Sequence, residues 1–223
     1  MSTMKLKALI FDFDGLMVDT EQSIFDAYRK IFTEHGAELP LSTWEGIIGS
    51  TGHRDRIFLD LEQQIGREVD RDDLRERARQ EHHGISSQLP AVDGVATQIA
   101  DAQRLGLGLG VASSSTVEWV HGHLRRLGLI HHFGTLCTRE DVSEVKPDPE
   151  IYALAASRLG VKPEEAVALE DSPNGIASAK AAGLFCVAIP NPLTAGMSLG
   201  QADLLVPTLA GLSLDGIAAQ MGR

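Results

Sequence analysis

Short runs that are apolar at nearly every position recur along this chain between longer stretches of helical periodicity. They fall at residues 6–11, 107–112, 134–138, 166–169 and 185–189, with a weaker run at 202–206. A strand with one wet face alternates apolar and polar residues, so a run without alternation predicts a strand covered on both sides. Helical patterns occupy 94–105, 117–127, 149–159 and 175–182. Glycine follows them at Gly106, Gly128, Gly160 and Gly183, where a helix end favours it. Strands and helices in alternation predict an α/β fold with a doubly wound parallel sheet.

One interval breaks the alternation. Between Thr20 and Pro90 the patterns are helical only, at 21–35, 42–48, 54–65 and 71–83. The stretch REVDRDDLRERARQEHH, residues 67–83, is heavily charged and reads as a solvated helix face. The interval as a whole predicts a small helical insert after the first strand, with the chain returning to the α/β core near Leu89 and Pro90.

The 223 residues are enough for one sizeable core with a smaller insert. A formal net charge of -11 argues against nucleic acid or an anionic membrane as the main partner. Cys137 and Cys186 form neither a disulfide framework nor a metal pair, which fits a reducing cytoplasm. No leader and no membrane span are expected. The histidines at 82–83, 121, 123 and 131–132 make no zinc set and read as solvated positions. GLGLG, residues 106–110, enters a strand instead of leaving one, so it is not a dinucleotide loop.

The first apolar run ends in FDFDGLMVDT, residues 11–20. In extended backbone Asp12 and Asp14 point to the same side, and Gly15 permits a sharp turn. Taken alone, an Asp-rich turn accounts for this as well as a site does. The run at 166–169 also ends in acids, Glu170 and Asp171, within ALEDSPNG; helix capping is the competing account. Four carboxylates gathered at one sheet edge would repel, and a hard divalent cation such as Mg²⁺ would relieve this. GVASSST, residues 110–116, offers Ser113 and Ser114 to phosphate oxygens or to a helix N-terminus. VKPDPE, residues 145–150, places Lys146 before two prolines that stiffen the approach to a helix.

In their order and placement these four motifs resemble the haloacid dehalogenase superfamily. The resemblance covers nearly the whole chain and points to the phosphatase and β-phosphoglucomutase-like branch with a helical cap. It implies a Rossmann-like core from residues 1–16 and 90–223, and a cap from residues 17–89. It implies that Asp12 is the nucleophile and Asp14 the general acid/base, with Ser113, Ser114 and Lys146 holding phosphate. It further implies Mg²⁺ at Asp12, Asp14, Glu170 and Asp171, the second through its backbone carbonyl.

The expected reaction is Mg²⁺-dependent hydrolysis of a small phosphorylated metabolite through an aspartyl phosphate. Asp14 separates the chain from the family's metal-free dehalogenases and from its phosphonate-cleaving branch, which lack that acid. Sugar phosphomutases of the family carry a histidine near Ile24, so phosphatase is preferred over mutase. A catalytically inactive binding module would be favoured by a missing motif residue, and all are present. Glu21, His53 and Arg54 are the candidate substrate contacts from the cap, with exposed helix-start charges an equally good account. The expected partner is a small metabolite, and the expected assembly a monomer or a small homo-oligomer.

Overall fold

A computed structural model describes residues 6–45 and 55–221. Six strands form one parallel sheet: β1 (Ala8–Phe11), β2 (Gly108–Ala112), β3 (Thr135–Cys137), β4 (Ala166–Glu170), β5 (Phe185–Ala188) and β6 (Leu204–Leu205). Their order is β3-β2-β1-β4-β5-β6, so the first strand is central. Each expected strand is present, and the weakest is a two-residue edge strand.

The two sheet faces differ in side-chain size. Leu9, Phe11, Val167, Leu169 and Val187 point to one face. Ala8, Ile10, Ala166, Ala168 and Ala188 point to the other. Strand periodicity of two separates the sets. The bulky face is covered by α5 (Val95–Arg104), α6 (Val117–Arg126) and α9 (Leu214–Met221). The small face receives α7 (Glu150–Arg158) and α8 (Pro173–Ala181), which bury Tyr152, Ala155, Ala156, Ile176 and Ala179 there. The runs lack alternation because both faces are covered.

Between β1 and α5 the described helices are α1 (Thr20–Glu34), α2 (Leu41–Glu45), α3 (Asp55–Ile65) and α4 (Arg71–Ser86). They share a separate cluster built on Phe25, Tyr28, Trp44 and Phe58. Trp44 packs on Phe25 and Tyr28 with ring centroids 5.4 and 5.7 Å apart. Leu193, from the loop after β5, is buried in this cluster too. The charged stretch forms α4, where Leu74 and Ala78 are the buried apolar residues and Arg75, Arg77 and Arg79 pair with surface acids. Such exposed pairs contribute little each.

GLGLG leads into β2 as expected. Gly106 takes a φ of +69° just past α5, and Gly110 lies inside the strand.

Candidate active site

The chain turns immediately after β1. Gly15 has a φ of +83°, and a Cβ there would stand 2.4 Å from Asp171 Oδ2. Only glycine lets the turn lie against that carboxylate. The turn brings Asp14 beside Asp12 at the carboxyl end of the central strand. β4 runs alongside in register, and the Asp12 N–H donates to the Leu169 carbonyl at 2.9 Å. Glu170 and Asp171 therefore emerge next to Asp12.

Capping does not account for these acids. Ser172 caps α8 and accepts from the Gly175 N–H at 3.1 Å, leaving Asp171 free of that role. Thr116 likewise caps α6, which releases Ser113 and Ser114. Asp19 caps α1.

Lys146 is buried, and its Nζ donates to Asp12 Oδ1, to Glu170 Oε1 at 2.6 Å and to the Tyr152 hydroxyl at 3.3 Å. Tyr152 donates to the same Glu170 oxygen at 2.7 Å. Glu170 Oε2 accepts from the Asp171 and Ser172 N–H groups at 3.1 and 3.3 Å, and from Ser172 Oγ at 3.3 Å. Both oxygens of Glu170 are thus engaged, and the side chain fixes the lysine. Asp171 Oδ2 accepts from Asn191 Nδ2 at 2.7 Å.

The electrostatics are unbalanced. Burial, only partly opposed by Lys146 and reinforced by Glu170, pushes the Asp12 carboxyl up to about 8. Burial, with Asp12 and Glu170 adding to it, holds Asp171 well above the usual carboxylate range. Lys146 is raised despite burial, because Asp12 and Glu170 favour its charge. Asp12, Glu170 and Asp171 offer oxygens within 4.8 Å of one another. Ionising all three carboxyls against one ammonium would leave an excess of negative charge. A hard divalent cation fits this donor set.

Asp14 is surrounded differently. Its Oδ1 accepts from Thr20 Oγ1 at 2.7 Å and Trp119 Nε1 at 2.8 Å. Its Oδ2 accepts from Ser115 Oγ at 2.6 Å and Ser113 Oγ at 3.4 Å. Ser113 Oγ in turn accepts from the Ser115 N–H.

Asp12, Asp14, Glu21, Ser113, Ser114, Lys146 and Asp171 line one cavity of about 490 Å³. The Oγ of Ser114 is buried and unpartnered among the described residues. Glu170 lies beneath the floor with 0% exposure. His53 and Arg54 lie outside the described residues. A larger groove of about 790 Å³ beside Arg77 and Leu89 gathers no comparable set of groups.

Ile24, Arg79, His82, His83, Trp119 and Arg139 also line this cavity, and of these the sequence singled out Ile24 alone as a position bearing on the reaction. Two histidine positions need correction. His82 bonds Ser23 Oγ through Nδ1 at 2.8 Å and faces the cavity. His123 is buried against Trp119, with centroids 4.5 Å apart. Both were expected to be solvated, but the indole gives them an apolar partner.

The sequence model of the haloacid dehalogenase-like hydrolases matches residues 9–189. The chain belongs to this family. YhcW of Bacillus subtilis (strain 168) is 44% identical over 209 residues, covering 94% of both chains. The validoxylamine A 7'-phosphate phosphatase of Streptomyces hygroscopicus subsp. limoneus is 31% identical over 91% of this chain and 94% of its own. Among solved structures, CbbY from Rhodobacter sphaeroides in complex with phosphate superposes with a TM-score of 0.76 at 31% identity. That match covers 95% of this chain and 98% of CbbY.

Proposed function

We propose that this chain is a Mg²⁺-dependent phosphatase for a small phosphate monoester, a sugar phosphate or a similar metabolite. The observation that carries this reading is the meeting of Asp12, Lys146 and Asp171 on the floor of a cavity that Asp14 also lines. An Asp12 oxygen attacks phosphorus, and the bond to the leaving oxygen breaks. Asp14 gives that oxygen its proton. Water then attacks the aspartyl phosphate, Asp14 takes the water's proton, and inorganic phosphate departs.

Lys146 places a positive charge beside the attacking oxygen, and Ser113 and Ser114 hold the phosphoryl oxygens. Asp12, Asp171 and the Asp14 carbonyl are the proposed holders of Mg²⁺, with Glu170 supporting them from below. When bound, the cation offsets the negative charge that gathers as carboxylate and phosphate approach.

Residues 17–89 act as the cap, and residues 1–16 and 90–223 as the core. The cap contributes Glu21, Ile24, Arg79, His82 and His83 to the cavity wall. Basic and hydroxyl-binding groups on that wall suit a polar, anionic metabolite. His53 and Arg54 remain cap candidates for substrate contact. Ile24 lines the cavity with a side chain that exchanges no proton, which supports hydrolysis over phosphosugar isomerisation. Cys137 and Cys186 are both free and buried, in keeping with a reducing cytoplasm. No described helix is long and apolar enough to cross a membrane.

A panel of sugar phosphates incubated with Mg²⁺ tests the reading. Phosphate release that stops in Asp12→Asn is expected. An isomerised phosphosugar without free phosphate would overturn it in favour of a mutase.

A further inference from the structure

We infer that Trp119 is a positioning residue that selects which oxygen of Asp14 delivers the proton, and that the insert holds it in place. The inference rests on the phosphatase reading above. An indole N–H can only donate, whereas a hydroxyl can reverse and accept. Trp119 Nε1 donates to Asp14 Oδ1 at 2.8 Å. Oδ1 is therefore kept as an acceptor, and Thr20 Oγ1 adds a second donor to it.

Among the described residues the opposite oxygen, Oδ2, meets only the hydroxyls of Ser115 and Ser113, at 2.6 and 3.4 Å. Either hydroxyl can turn to accept from a protonated carboxyl. The transferable proton thus belongs on Oδ2, on the side of the serine loop proposed to hold phosphate. Without the indole, the proton can sit on either oxygen, and on Oδ1 it lies against Thr20 instead of the two serine hydroxyls.

The indole is clamped from two sides. His123 of α6 lies against it with centroids 4.5 Å apart, and Phe13 backs that imidazole at 5.9 Å. From the insert, His82 and His83 of α4 approach at 4.9 and 5.0 Å. His82 is itself tied to α1 through Ser23. The acid is therefore aligned when α4 stands against α6, and the seating of the insert and the orientation of the proton become one event.

The test uses a leaving group that needs a proton and one that does not. Phenyl phosphate and 4-nitrophenyl phosphate are compared by kcat/KM, which reports steps up to loss of the alcohol. Trp119→Phe keeps an aromatic ring and removes the N–H. We expect phenyl phosphate to lose roughly ten- to hundredfold while 4-nitrophenyl phosphate loses much less. A partly unfolded sample lowers both esters equally, so their ratio stays informative. Trp119→Leu, which also removes the ring, should change that ratio as much as Trp119→Phe does. An unchanged ratio, or a ratio restored by Phe but not by Leu, overturns the inference in favour of packing alone. If the wild-type enzyme hydrolyses neither ester nor any other phosphate ester, the phosphatase reading falls first and takes the inference with it.

Discussion

A Cβ placed on Gly175 would lie 1.9 Å from Glu170 Oε1. The first turn of α8 presses on the carboxylate, and that carboxylate holds Lys146 against Asp12. Gly175→Ala should therefore destabilise the protein by about 1–3 kcal/mol through overpacking, although alanine is the better helix former by about 1 kcal/mol. Urea unfolding measures the balance. A variant as stable as the wild type would show that Glu170 can relocate without cost.

Tyr152 reaches the same carboxylate from α7. Tyr152→Phe keeps the ring, whose centroid lies 4.8 Å from Lys146 Nζ, and removes the hydroxyl donor to Glu170. Loss of a buried hydrogen bond to a charged group should cost about 1–3 kcal/mol. Thermal unfolding with and without Mg²⁺ would read it. An unchanged midpoint in both conditions would show that Lys146 alone satisfies Glu170 Oε1.

Cation binding should be linked to protons. Burial raises the Asp12 carboxyl from 3.8 to about 8 in the metal-free protein. A group raised on folding stabilises below its unfolded value, and that contribution fades as pH climbs through the folded one. Metal-free stability should therefore fall between about pH 4 and pH 8, in the window set by the Asp12 values. Mg²⁺ takes the ionised form, so its affinity should rise across the same window, by about tenfold per pH unit for each proton released. Titration calorimetry at several pH values checks this. Affinity independent of pH from 6 to 8 would contradict it.

The acids and the lysine that meet at the end of β1 were legible because their types are out of place where they stand. Asp12, Asp14, Glu170 and Asp171 end apolar runs, and Lys146 precedes paired prolines. The fold was legible for a related reason, since strands covered on both faces show no alternation. Trp119 and Tyr152 gave no such signal. An aromatic residue on a helix is ordinary core material, and only the direction of its polar atom makes it part of a site. Thr20, Ser115 and Asn191 gave no signal of their own, because hydroxyls and amides have many local uses. The burial of His123 depends on its partner: an indole meeting it edge to face makes a buried imidazole acceptable, and sequence does not reveal that contact. Gly175 gave no signal either, since its need for a missing Cβ arises from a carboxylate at the end of β4.

Leu193 belongs by sequence to the stretch after β5, yet it is buried among the aromatic residues of α1, α2 and α3. Anyone transplanting residues 17–89 into a relative as a cassette would carry a socket without its plug. The exchangeable module is discontinuous, and a graft that keeps its shape should include the 191–197 loop or refill the gap that leucine occupies.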